Sequence, residues 1–356
     1  YRLQLDENND YQSFRISADN LPFSPTSMTF DSNQELWLAD NSSSADLIIM
    51  DTQTGGWQYQ YGTSAGNNTD FGRAINDLTT FRVITENAIE IDTDGDGILD
   101  RDDASPENPN IAFESFTPSK YGKGTIAFED LWPYRGDYDF NDLALSYQAI
   151  VYLNAQNLAV KMDIVCNVKS NGAGYTNGIG LEIEGLAPSQ IESVTGPVLV
   201  NNYINLNSNG TEANQDKAVI ILSDDADYLL NETTISIYFT EPISTNDLGV
   251  APFNPFIIVD ANREKEVHLP YKNTTSLGVY NAQANGVNND LDGNYISDNG
   301  YPWAISIIHD FKVPKEKVAI TEAYNFFSTW AESGGANFSD WYKDNPGHRN
   351  LDKIND

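Results

Sequence analysis

Apolar and polar residues alternate over short runs through most of this chain, and Gly, Pro, Asn and Asp cut the runs apart. From about Gly124 to Pro314 the segments GTIAFEDLW, LALSYQAIVYLN, AVKMDIVCNVKS, GIGLEIEGL, KAVIILSD, TTISIYFT, PFIIVDA and EVHLP follow one another at short spacing. A period of two, or a continuous apolar run of strand length, marks a strand buried on one face or on both. Many such strands with almost no helical periodicity predict an all-β domain, an antiparallel β-sandwich of jelly-roll-like type. Before it, SMTFD, ELWLAD, ADLIIMD and WQYQYG, separated by SNQ, NSSS and TQTGG, predict a small N-terminal β region. Its cadence resembles one propeller blade, but a single blade cannot close a ring.

One segment breaks the alternation. VAITEAYNFFSTWAES places Ala323, Phe326, Phe327 and Trp330 at helical spacing, with Thr321 as N-cap and Gly334 and Gly335 as the stop. It predicts one C-terminal helix with its aromatic face on the sheet. The expected organisation is a small β-sheet region over 1–90, an acidic linker over 91–110 and the sandwich domain over 111–356.

Composition sharpens the class. The 356 residues include 19 Tyr, 16 Phe and 6 Trp, enough large apolar groups for a sizeable core. Fifty-two acidic residues against 20 basic ones give a net charge of -32, a field that repels nucleic acid and attracts divalent cations. The single cysteine, Cys166, excludes a disulfide within the chain and sits in a strand run as a small buried apolar group. No apolar run of about 18 residues is present, so no membrane-spanning segment is expected. A first residue that is Tyr1 rather than Met fits a leader removed or not included. The expected location is extracellular or on a bacterial cell surface.

The acidity gathers in short loops. DTDGDGILDRDD, Asp92 to Asp103, puts carboxylates at positions 1, 3, 5, 9 and 12 with Gly97 at position 6, the layout of an EF-hand-type calcium loop. Asp92, Asp94 and Asp96 would supply side-chain oxygens and Ile98 its carbonyl. Asp100 would act directly or through water, and Asp103 would close the shell. A hard, oxygen-only set suits Ca2+, and Asp in place of Glu at position 12 favours a static structural site over a switch. The alternative is a solvated acidic linker.

A second cluster lies in TIAFEDLWPYRGDYDFNDLALSY: Glu129, Asp130, Asp137, Asp139, Asn141 and Asp142. Two antiparallel strands joined through WPYRG would bring both acidic ends together, and a cation would relieve a repulsion that Arg135 offsets only in part. The alternatives are a turn capped by side-chain-to-backbone bonds and a glycosidase-like carboxylate pair. NNDLDGNYISDNGYP offers Asp290, Asp292, Asn294 and Asp298, but its Gly stands at position 4, so a surface loop is the simpler expectation. His268, His309 and His348 are isolated, and no HExxH, GxSxG or P-loop pattern occurs. Without a Cys pair or His cluster, zinc is not expected.

The run AFEDLWPYRGDYDFNDLALSY, then GYTNGIGLEIEGL, NPFIIVDANREKEVHLP, YPWAISI, AYNFFSTWAESGG and DWY, resembles the LruC-type domain of bacterial secreted and outer-surface proteins. DTDGDGILDRDDASPENP resembles a thrombospondin type 3 or dockerin-like repeat. The resemblance covers residues 91 to 356. It implies an exported protein with a large β domain and no catalytic residues to carry over; it also favours cation ligation by Glu129, Asp130, Asp137, Asp139 and Asp142. The expected function is a non-enzymatic, calcium-binding module of the cell surface or outer membrane for adhesion, with a glycan or surface protein as partner and calcium stiffening the interdomain joint. The competing expectation is a carbohydrate-active enzyme using the Glu129–Asp142 carboxylates.

Overall fold

The computed structural model describes all residues except 6–9, 42–45, 67–74, 76, 81–89, 173, 280–289, 291 and 356. Strands β1 (Arg2–Leu5) and β2 (Tyr11–Phe14) form an antiparallel ribbon. Strands β3 (Pro25–Phe30), β4 (Leu36–Asp40), β5 (Leu47–Met50) and β6 (Trp57–Tyr61) follow as an antiparallel meander. Each meander strand falls on one of the four apolar runs. Phe23, Leu38 and Ile48 form its small core, backed by Trp57 and Tyr59.

The larger part begins with β7 (Phe113–Thr117), β8 (Gly124–Phe128), β9 (Leu143–Leu153), β10 (Leu158–Ser170), β11 (Gly178–Ile183) and β12 (Ile191–Thr195). It continues with β13 (Ala218–Ser223), β14 (Thr233–Ser244), β15 (Asn254–Ile258), β16 (Glu266–His268) and β17 (Ala304–Ile307). One sheet runs β12-β14-β10-β9-β8-β17, and β7 pairs the distal half of β9 beyond the stretch taken by β8. The second sheet runs β13-β11-β15-β16. All these pairings are antiparallel.

The two sheets share one core, with Ile126, Leu145, Met162 and Ile235 from the first meeting Ile179, Leu181, Ile220 and Ile257 from the second. The fold is therefore the expected all-β antiparallel sandwich. Strands β8, β11, β13 and β15 are buried on both faces, which explains their near-continuous apolar sequences. The outer face of the first sheet meets the C-terminal segment through Ala127, Ile305 and Ile307 against Phe311, Phe327 and Trp341. The outer face of the second is covered by Leu199, Tyr203 and Ile204. Cys166 lies wholly inside the core, where burial pushes its thiol up to about 12.

The C-terminal helix differs from expectation. A short α1 (Thr245–Leu248) precedes it, and within the predicted stretch the α-helical residues form two short pieces, α2 (Ile320–Ala323) and α3 (Phe327–Glu332). Between them Tyr324 is extended (φ -130°, ψ 102°) and bridges to Arg349. Its ring is buried between Phe311 and Trp341. Tertiary pairing at Tyr324 outweighs helical periodicity there. Thr321 lies inside α2; the flanking residue is Ala319, with no side-chain cap. Gly334 and Gly335 (φ 62° and 87°) follow α3, as the pattern predicted.

The N-terminal meander is docked, not suspended from the acidic linker. Arg349 pairs with Asp19, and Lys343 Nζ donates to the carbonyls of Arg15 and Ile16, both at 3.0 Å. Arg15 Nη1 returns a bond to the Asp344 carbonyl at 2.7 Å, and Ser119 Oγ donates to Asp51 at 2.7 Å. Among the described residues no helix is long and apolar enough to cross a membrane.

Candidate metal centre

In the Asp92–Asp103 loop the sequence dictates the turn chemistry. Gly95 (φ 81°) and Gly97 (φ 98°) take left-handed conformations that favour glycine. Their N–H groups donate to Asp92 Oδ1 at 2.7 Å and Oδ2 at 3.1 Å. Asp94 and Asp96 each accept from the amide two residues on, at 3.2 Å and 2.8 Å, the second being the amide of Ile98. Asp103 Oδ1 likewise accepts from Ser105 N at 2.7 Å. One oxygen of each of these three carboxylates is thus spent on the backbone.

The other oxygens are the informative ones. Asp94 Oδ2, Asp96 Oδ2 and Asp103 Oδ2 are shielded from solvent with no hydrogen-bond partner. Ligand atoms of Asp92, Asp94 and Asp96 lie within 4.8 Å of one another. Burial and the carboxylates of Asp96, Asp103 and Asp92 hold the Asp94 carboxyl above its ordinary range. Unpaired buried oxygens are costly unless a donor or cation meets them. The donor set therefore fits a hard cation. Asp100 is engaged elsewhere: its oxygens accept Thr93 N and Thr93 Oγ1, both at 2.7 Å, and its own amide donates to Ile91 at 2.9 Å. Asp100 closes the loop rather than pointing a bare oxygen inward.

The second cluster divides. Register pairing of Phe128 with Leu143 places Glu129 and Asp142 side by side at the end of the β8–β9 pair, as the strand–turn–strand pattern predicted. Glu129, Asp137 and Asp139 come within 4.8 Å. Asp130 and Asp142 do not join that group. Asp142 Oδ2 accepts Asp130 N at 2.9 Å, and Asp130 Oδ2 accepts Asn177 Nδ2 at 2.9 Å.

Most of the Glu129 group is committed to backbone. Tyr138 (φ 54°) and Phe140 (φ 53°) are left-handed, so their N–H groups converge on Glu129, at 3.0 Å to Oε2 and 2.6 Å to Oε1. Such a concave run of amides is a nest of donors, and the Glu129 carboxyl group fills it. Asp139 accepts Asn141 N, Asn141 Nδ2 and Lys317 N, at 3.1, 2.8 and 2.8 Å. Asn141 keeps a buried Oδ1 without a partner. Burial first, and then the charges of Asp142, Asp139 and Asp137, push Glu129 well above the carboxylate range. Burial and Asp130 push Asp142 up to about 7. Arg135 relieves none of this by direct pairing; it pairs with Asp298.

The third acidic stretch behaves as a turn. Asp290 accepts the amides of Gly293, Asn294 and Tyr295 and the indole N–H of Trp132, at 2.7 to 3.1 Å. Asp292 and Asp298 form no group of three carboxylate ligands with it among the described residues.

A polar cluster that local sequence does not announce lies on the outer face of the second sheet. Arg263 pairs with Glu212 and Glu266; His268 bonds Glu266 Oε2 at 3.0 Å and Asn254 Oδ1 at 2.7 Å. Thr275 closes it onto Glu266. His268 is wholly buried, and burial draws its pKa down. Hydrogen bonds and charge from His268, then Arg263, outweigh burial at Glu266 and hold it at about 2. The one local signal is EVH, with Glu266 and His268 two apart on one face of a strand.

These features define a class: a two-sheet antiparallel sandwich with a docked N-terminal meander and an acidic loop that holds three shielded, unpaired carboxylate oxygens. The chain belongs to the family described as Domain of unknown function (DUF4842), whose sequence model matches residues 157–342. That match starts at the β9–β10 turn, beyond both acidic clusters. The fold is similar to the crystal structure of a "Putative lipoprotein from Bacteroides ovatus", at 16% identity, 90% coverage of each chain and a TM-score of 0.52. No curated protein matches the chain.

Proposed function

We propose that the chain is an exported bacterial surface module, non-enzymatic, that binds calcium through the Asp92–Asp103 loop and serves adhesion by binding a glycan or a surface protein. The three buried, partnerless oxygens of Asp94, Asp96 and Asp103 carry the calcium assignment. Asp92 would complete the shell with the Ile98 carbonyl, and Asp100 would brace it. Calcium there supplies charge neutralisation and a fixed loop, not a reaction.

The loop's position suggests what it fixes. Ala104 N bonds the Ala112 carbonyl at 2.9 Å, and Ala112 N bonds Leu153 at 2.8 Å, so the loop's far end is stitched to β9. Calcium would hold the 91–110 link against the sandwich. The likeness in fold to a lipoprotein supports a surface setting, as does the resemblance to LruC-type domains. The committed hydrogen bonds of Glu129, Asp139 and Asp142 weigh against an acid–base pair, which needs carboxyls free to move protons.

Calcium titration by calorimetry tests the assignment, with melting curves in calcium and in chelator. Binding is expected, with a melting temperature that rises with free calcium as linkage requires. A flat calorimetric trace and superimposable melting curves would overturn it. Turnover on a polysaccharide panel, abolished by Asp139→Asn in a folded protein, would replace the module with an enzyme.

A further inference from the structure

Among the described residues, a cavity of about 450 Å³ opens between the Leu131–Tyr134 turn and the hairpin joining β15 to β16. Its volume falls in the range of small-ligand sites, roughly 300–1,000 Å³. Three aromatic rings line it, Trp132, Tyr134 and Tyr175, together with the polar groups of Asp130, Asn262 and Glu264. Tyr134 and Tyr175 are 37% and 41% exposed. Large rings left half open beside polar groups are a recurrent feature of binding surfaces.

The walls are locked from behind. Trp132 donates its indole N–H to Asp290 at 2.9 Å and packs 4.9 Å from the buried ring of Tyr295. The fully buried Asn177 ties both walls: Nδ2 donates to Asp130 Oδ2 at 2.9 Å, and Oδ1 accepts the amide of Asp260 at 3.3 Å. Asp260 and Ala261 are consecutive left-handed residues (φ 55° and 48°), held there by Asn177 and by a 2.7 Å bond from Ala261 N to the Thr176 carbonyl. A backbone conformation this unfavourable for non-glycine residues persists only where its surroundings over-determine it. The cavity is thus pre-organised, which lowers the entropic cost of binding.

We propose that this cavity binds a short neutral oligosaccharide, which deepens the adhesion reading given above and rests on it. Aromatic faces match the apolar C–H faces of a pyranose ring, while carboxylates and an amide match paired hydroxyls. The charge of the lining argues for a neutral ligand. Glu266 is already paired with Arg263 and hydrogen-bonded to His268, and Lys265 shares the lining with Asp130 and Glu264. A ligand cation would face the Lys265 ammonium, and an anionic sugar would face the carboxylates of Asp130 and Glu264.

The test uses the full chain in calcium buffer, with cellotetraose, laminaritetraose, xylotetraose, mannotetraose and N-acetylchitotetraose as neutral probes. Oligogalacturonate and an arginine-rich peptide serve as charged comparators. Calorimetry and tryptophan fluorescence read the binding. At least one neutral probe is expected to bind and to quench or shift tryptophan emission. Tyr175→Ala and Glu264→Gln, both at exposed positions, should each weaken it at least tenfold with the melting temperature unchanged. Asp96→Asn should leave sugar binding in place, so loss of calcium binding and loss of sugar binding are separate results. The proposal is overturned if no neutral probe binds, if binding survives both cavity variants, or if only a charged comparator binds.

Discussion

His309, just beyond β17, donates its Nε2 hydrogen to the backbone carbonyl of Thr54 in the β5–β6 turn at 2.7 Å. A carbonyl can only accept, so the tautomer follows from the partner. Nδ1, left as the acceptor, takes the Tyr342 hydroxyl proton at 2.9 Å. One neutral imidazole therefore ties the N-terminal meander, the end of the first sheet and the C-terminal segment together.

His309→Ala should loosen that docking. Leaving the buried Tyr342 hydroxyl and the part-buried Thr54 carbonyl unpaired costs about 1–3 kcal/mol. Limited proteolysis should then cut the N-terminal region faster while the sandwich persists. Burial lowers the His309 pKa. The unfolded state thus takes up the proton first, and stability from this group is lost as pH falls below about 6.5. Docking should be weaker at pH 5 than at pH 7.5, and His309→Ala should flatten that dependence.

Arg263→Ala should be among the most damaging single changes on the second sheet. Its guanidinium is the cation facing Glu212 and Glu266, both about 1% exposed. Removing one partner of a buried ion pair costs about 3–5 kcal/mol. Denaturant unfolding should show it; a loss under 1 kcal/mol would mean water already reaches the pair.

Asp96→Asn keeps the shape of the side chain but removes its unit negative charge and replaces one of its two oxygens with an amide nitrogen. Calcium affinity should fall on the order of tenfold or more, and the melting temperature in chelator should be unchanged. Asp100→Asn, which acts on Thr93, should weaken calcium less. Equal effects from the two would contradict the division between bare and braced oxygens.

Glu182 gives a pH dependence of the opposite sign. Burial, then the charges of Glu184 and Glu266, raise it to about 7 despite the Asn254 hydrogen bond. Its folded pKa exceeds the unfolded one, so its contribution is full below about 4.5 and lost as pH rises towards 7. Glu182→Gln should therefore gain stability relative to the parent at pH 8 and little at pH 4.5, as measured by paired melting curves.

The legible parts of the fold were local ones. LALSYQAIVYLN and AVKMDIVCNVKS are apolar runs of strand length, and both form strands that are buried over much of their length. FESFT and IESVT lie outside the predicted strand runs, because β7 and β12 owe their strand character to β9 and β14 beside them. The helix over VAITEAYNFFSTWAES was read from spacing alone, and the Tyr324–Arg349 bridge broke it. The acidic loop was legible for the same reason the strands were. Its carboxylates and glycines are contiguous, so one turn fixes them all.

What the sequence determined by itself is therefore the alternation, the turn positions, the charge and the Asp92–Asp103 loop. Each depends on neighbours a few residues away. Tertiary structure decided the rest. It split the Glu129–Asp142 carboxylates into two groups, sent Arg135 to Asp298, gathered Glu212, Arg263, Glu266 and His268, and set Asn177 between two walls of a cavity. The physical reason is that hydrogen bonds and ion pairs are short-ranged and directional. Their partners are chosen by which strands stack, long after local pattern has done its part.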